Sequence, residues 1–213
     1  MTHLTDLLRN KQDEELDVWF DNIAKYLMRN TCIFAGDAQY AIVELEFYYH
    51  SDAHPDPYVY CDEEQLTCGK WFCNGTGLDI TFGEPRKDYG GILIRGMKRL
   101  NEPQSYISGP STILKELFSK TSKVTNKNSF FYLGEMDAEM NNAEFIRSQR
   151  IGLSQKKEED TNNYLEKEYR YITDLVVEHK FKNKENVVRN LFNEGKIDSD
   201  KALEIMGYRM AGC

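Results

Sequence analysis

The segment AIVELEFYYHSDAHPDP, Ala41 to Pro57, gathers two glutamates, two tyrosines and two histidines within a few residues. Side chains on a strand point alternately to opposite faces, so Glu44, Glu46, Tyr48 and His50 share one side and Val43, Leu45, Phe47 and Tyr49 the other. That period of two predicts a half-buried strand. If water lies over the polar side, these groups form a wet strand surface. If a cleft covers it, two neighbouring carboxylates repel, which favours a proton on one and leaves the other a better base. Such a pair suits activation of water, and adjacent aromatic rings suit stacking of a flat substrate such as a nucleobase.

Other chemistries are weaker on spacing. His50 and His54 precede Cys61, Cys68 and Cys73, all ligand types, but no tight C-x2-C pair of the kind zinc sites use is present. Free cysteines and no metal or cofactor are therefore expected. GTGLDITFG lacks both the dinucleotide glycine pattern and the Walker lysine, and no G-x-S-x-G elbow is present. Arg95 ends the apolar run GGILIRG, where a guanidinium emerging from a buried strand needs either an ion-pair partner or a wet cleft.

The elements that must position these groups follow from periodicity. Leu8, Leu16, Trp19, Phe20, Ile23 and Leu27 recur at near-helical intervals and predict one or two amphipathic helices, which Gly36 and Asp37 stop. Pro55 and Pro57 force the first strand out into a loop. GLDITFG and GGILIRG predict two further strands. SGPSTILKELF starts a helix, with Pro110 in its first turn and Ser108 or Ser111 as cap. Ser119 to Asn128 is polar and basic, SFFYLGEM is apolar, and a charged stretch separates the strand-like RIGL from YRYITDLVV. The tail predicts two short helices, one ended by Gly195 and the next capped by Asp198 or Ser199. Their Val187, Val188, Leu191, Phe192, Leu203, Ile205 and Met206 could pack on the main body or on a second copy. The expected organisation is a helical segment over 1–30, an α+β core over 31–178 and a helical appendage over 179–213.

With 213 residues and 40% hydrophobic content the chain can bury one full core without disulfides. A net charge of −8 argues against a surface that wraps nucleic acid throughout, while permitting a local basic groove. No apolar run is long enough for a signal h-region or a membrane span, so a cytoplasmic protein is expected, nuclear if the source is a eukaryote. The five cysteines, including Cys32 and Cys213, are irregularly spaced and predict reduced thiols.

Several segments, in order, resemble the alkyladenine (3-methyladenine) DNA glycosylase family. IVELEFY is similar to that family's IVETEAY strand, GILIRGM to its VLLRA strand and SGPSTILKEL to its GPGKLCQAL helix start. RIGL and YRYI are similar to its RIGI and WRF elements, and the whole likeness spans roughly Ile42 to Ile172. The resemblance implies an α+β fold round a curved, mostly antiparallel sheet with flanking helices, and a monofunctional hydrolase that flips an alkylated purine out of damaged double-stranded DNA. It implies Glu46 as the base that activates water, Arg95 close to that water, Tyr48 stacking on the flipped base and His54 in the pocket. Glu44 matches the first glutamate of the strand motif, with its role open. The family's YVYxxYGM segment supplies tyrosines that push into the duplex and close the base pocket. The interval here reads EEQLTCGKWFCNGTGLDITFG, where Trp71 and Phe72 would replace those rings. Family members are commonly basic, whereas positive residues here concentrate in Lys115, Lys120, Lys123 and Lys127, beside a helix whose N-terminus, near Ser111, could meet a phosphate. The alternatives are a hydrolase of small nucleosides or nucleotides, and a non-catalytic module binding nucleic acid or protein, with a homodimer through the C-terminal helices.

Overall fold

A computed structural model describes residues 2–11, 15–75, 77–123, 125, 130–136, 145–155 and 159–212. Lys127, Cys213 and parts of the basic and charged stretches noted above lie outside the described residues.

The N-terminal helical pattern resolves into α1 (Thr2–Arg9) and α2 (Leu16–Asn30). Trp19, Phe20, Ile23 and Leu27 form the buried stripe of α2, as their spacing requires. The chain passes directly from α2 into β1 (Thr31–Ala35), which pairs with β2 (Ala38–His50). Gly36 and Asp37 are thus the tip of a hairpin rather than a simple stop to a helix. Gly36 has φ of +59°, and a Cβ there would sit 2.8 Å from the Lys120 carbonyl oxygen, so both backbone and space demand glycine.

The remaining strands are β3 (Cys68–Asn74), β4 (Gly77–Phe82), β5 (Tyr89–Arg99), β6 (Ser105–Ser108), β7 (Tyr132–Glu135), β8 (Ile146–Ser148) and β9 (Arg170–Ile172). Among the described residues they build one sheet in the order β3-β4-β5-β2-β1-β7, with β6 on β5, β9 on β2 and β8 on β9. Every pairing is antiparallel. The architecture is α+β: a curled antiparallel sheet flanked by helices. β2 and β5 are its spine. Their register slips twice between Ile42 and Leu45, so that Glu44 faces Gly96, Leu45 faces Ile94 and Arg95 has no opposite number. Such irregularities bend a strand and re-aim a side chain, here a guanidinium.

β2 is buried on both faces from Ile42 to Phe47, which corrects the half-buried strand of the sequence reading. Phe47 stacks on Phe20 of α2 at 4.3 Å between ring centroids, and Tyr49 and Phe82 continue that aromatic core. The opposite face, carrying Glu44 and Glu46, is covered instead of wet. Two coverings are α3 (Pro110–Ser119) and the bend at Ile151 and Gly152. Pro110 opens α3 as expected, but Gly109 occupies the cap with no side-chain bond, so neither Ser108 nor Ser111 caps the helix. RIGL, expected to be strand-like, lies just past the end of β8 and forms that bend.

In the tail, α4 (Lys184–Asn193) is followed by Gly195 at φ of +69°, and α5 (Ser199–Met206) is capped by Asp198, which accepts the Lys201 amide at 2.7 Å. Val187 and Leu191 pack with Ile172 and Phe181, while Val188 packs with Ala202, Ile205 and Met210. These apolar side chains are spent within the chain itself; Phe192 and Leu203 are half-buried. Among the described residues no helix is long and apolar enough to cross a membrane.

Candidate functional site

Glu46 is fully buried on β2. Its Oε1 accepts the Ile151 amide at 2.9 Å, and its Oε2 accepts the Tyr48 hydroxyl at 2.9 Å and Arg95 Nη1 at 3.2 Å. A carboxylate has about four acceptor positions, so these three donors leave room for one more. Burial pushes the Glu46 carboxyl above its usual range, with Arg95, the Ile151 amide and Tyr48 pulling the other way. Burial and the neighbouring Glu46 charge raise the Tyr48 phenol, which therefore stays protonated and donates.

Glu44 has a different office. Its Oε1 accepts Arg170 Nε at 2.8 Å, lies 2.8 Å from Arg170 Nη2, and accepts Arg95 Nε at 3.3 Å. Arg95 thus bridges both glutamates, so they are not the repelling, proton-sharing pair that their spacing suggests. The two readings of Arg95 also merge: it is ion-paired on both sides and still lines a cleft.

That cleft encloses about 420 Å³, and Tyr48, Tyr58, Tyr60, Asp79, Leu93 and Arg95 are among its walls. Glu46 sits behind the wall, in contact with Tyr48 and Arg95. Pro110 of α3 and the Ile151–Gly152 bend also line it. Gly91 lies opposite Tyr48 on β5; a Cβ there would be 2.9 Å from Gln65 Nε2 and 3.0 Å from Asp79 Oδ2, so its missing side chain makes room for both. Arg150, buried in an ion pair with Asp56 at 2.7 Å, sets its guanidinium 4.8 Å from the Tyr48 ring centroid and 5.6 Å from that of Tyr58. These cation–π contacts brace two of the rings that wall the cleft.

Sequence reasoning missed Asp79 as a site residue. Asp79 pairs with Leu93, which pairs with Glu46, so the two carboxylates stand in one row across three strands, on the same face. Asp79 is 1% exposed; Asn74 donates to its Oδ2 at 2.9 Å, and its Oδ1 has no partner among the described residues. Burial, opposed by Asn74 and reinforced by the Glu46 charge, lifts its carboxyl to about 7. Tyr58 and Tyr60 were missed as well; the only signal was two tyrosines two apart after the prolines.

Other expected residues lie elsewhere. The Ser51–His54 turn, closed by reciprocal backbone bonds of 3.1 and 3.0 Å, carries His54 to the Tyr49 side. There its ring meets Tyr164 edge-on at 4.6 Å and lines a separate hollow with Leu16 and Tyr169. Burial first, and Lys11 and Arg150 next, lower His54 to about 4, so it is neutral. Trp71 and Phe72 on β3 are half-buried and outside the cleft lining; Trp71 packs edge-on to Phe131 at 5.4 Å, and Phe72 pairs with Asp79 across the strands. Ser111, Lys115 and Lys123 are exposed, whereas Lys120 pairs with Glu116 at 3.4 Å. Among the described residues no group of three or more His, Cys, Asp or Glu could hold a metal ion. Cys32 is buried and Cys73 exposed.

Chemically, the arrangement offers a buried, donor-held carboxylate behind a tyrosine-walled cleft and a second buried carboxyl facing it with one unpaired oxygen. No family model matches the chain. A protein of Acanthamoeba polyphaga mimivirus, described only as uncharacterized, is 29% identical over 174 residues, 65% of this chain and 80% of its own length.

Proposed function

We propose that the chain hydrolyses the N-glycosidic bond of a modified purine, as a divergent relative of the alkyladenine DNA glycosylases, with damaged duplex DNA as substrate. The observation that carries this reading is Glu46, fixed by Tyr48, Arg95 and the Ile151 amide at the back of an aromatic cleft. A water bonded to its open acceptor position would be oriented and deprotonated as it attacks the anomeric carbon. Arg95 opposes the rise that burial imposes on the Glu46 carboxyl, and in its ionised form that group's negative charge supports the oxocarbenium-like sugar. The cleft volume lies in the range of small-ligand sites, and its three tyrosines suit stacking on a flipped base.

A hydrolase of free nucleosides or nucleotides is the second reading. It is favoured by the net charge of −8 and by the engagement of Lys120 with Glu116, which leaves Lys115 and Lys123 exposed among the described lysines singled out near α3. Chromatography of free base released from a panel of modified purines, each offered in duplex, in single strands and as nucleoside, tests both. Release from duplex supports the first, release from nucleosides alone the second, and release from none overturns both.

A further inference from the structure

Residues 151–153 line two hollows: the cleft described above and a second, of about 510 Å³, whose walls include α4. That volume also lies in the range of small-ligand sites. Its chemistry is unlike that of the cleft. Among the described residues no aromatic side chain lines it, so nothing there stacks on a flat ring. Asn183, Asn186 and Asn190 stand along it instead, three and four residues apart on one face of α4. All three are exposed, and their carboxamides make no hydrogen bond among the described residues. A carboxamide both donates and accepts, which matches the hydroxyl groups of a sugar.

Charge is uneven along this hollow. Arg147, Arg150 and Arg170 line it but are engaged by Asp17, Asp56 and Glu44. Lys182 differs: its carbonyl accepts Arg170 Nη2 at 2.9 Å, while its exposed ammonium has no ion-pair partner among the described residues. It adjoins the first turn of α4, whose amides receive no side-chain cap and favour an anion. Arg150, fully buried in the same lining, keeps Nε without a partner among the described residues. At the other end of α4, roughly 16 Å from Asn183 at 1.5 Å per residue, Glu194 pairs with Lys196 at 2.7 Å and Glu168 adds a further carboxylate. One phosphate is thus favoured near Lys182, and a second at the far end would be repelled.

We propose that this hollow is a second binding site, for a free sugar monophosphate. Its phosphate sits at Lys182 and the first-turn amides of α4, and its hydroxyls bond Asn186 and Asn190. The site stands whether or not the cleft hydrolyses a glycosidic bond. Its position gives it a route to the cleft: the Ile151 amide holds Glu46, Arg170 holds Glu44, and both residues line the hollow. The bound ligand therefore lies against groups that fix the two glutamates of β2.

The test is an amide NMR titration of the full chain with ribose 5-phosphate. Saturable shifts are expected at residues 151–153 and 182–187, with Gly77 and Leu93, which line only the cleft of the two, unmoved. Lys182→Glu is expected to weaken binding by roughly tenfold or more, the worth of a hydrogen bond between charged partners. Ribose without its phosphate is expected to lose as much. Asn186→Ala, which alters no charge, is expected to weaken the sugar phosphate severalfold; both substituted positions are exposed, so the fold tolerates them. The absence of saturable shifts at millimolar ligand, or shifts confined to the cleft, would overturn the site. Undiminished affinity in both variants, or equal affinity for ribose, would overturn the placement of the phosphate and with it the ligand class. Shifts of residues 182–187 with a terminally phosphorylated oligonucleotide, and none with the free sugar phosphate, would overturn the proposal by making the hollow a groove for a strand.

Discussion

Asp79 makes the protein's stability depend on pH in a direction opposite to most carboxylates. Its folded-state carboxyl is raised from 3.8 to about 7. Below its unfolded value both states hold the proton and nothing is lost. Between about pH 4 and 7 the native state holds more protons than the unfolded one, so stability falls as pH rises through this window. At ~1.4 kcal/mol per tenfold the full loss approaches about 4.5 kcal/mol, about 2.6 of it between pH 5 and pH 8. Asp79→Asn keeps the shape and removes the ionisation. Urea unfolding should therefore show the variant gaining on the wild type by about 2–3 kcal/mol from pH 5 to pH 8, whatever their offset at pH 5. A difference that stays flat across that range, or moves the other way, would refute the raised carboxyl.

Further predictions rest on separate features. Arg170→Met leaves Glu44 with a single, longer guanidinium contact and should cost about 3–5 kcal/mol in urea unfolding. Gly36→Ala forces a side chain into positive φ against the Lys120 carbonyl and should lower stability by more than about 1 kcal/mol, measured by thermal melting. Gly91→Ala must displace Gln65 or Asp79 and should cut turnover more than it lowers the melting temperature. If duplex DNA is the substrate, its affinity should fall as salt rises, and Lys115→Ala with Lys123→Ala should flatten that slope in a fluorescence titration.

What could be seen in the sequence was set by how local each feature is. The alternation in β2 placed Glu46 and Tyr48 on one face, and the apolar run of β5 located Arg95; the structure brings all three together. The covering of that face came from residues over a hundred positions away, Ile151 and Arg170, and no periodicity in β2 reveals it. Asp79 was legible as a polar residue in an alternating strand, but its alignment with Glu46 depends on two strand registers. β1, β8 and β9 are five or three residues long, too short to show a period. His54 lies eight residues after Glu46, yet one tight turn puts it with the opposite aromatic core.

The central claim is that Glu46 drives water onto a glycosidic carbon. The most direct measurement is the single-turnover rate of free-base release by Glu46→Gln against the wild type, on whichever modified purine the wild type processes, at pH 7. The account predicts a fall of at least about a hundredfold, with substrate binding retained. A variant that releases base at the wild-type rate would contradict it.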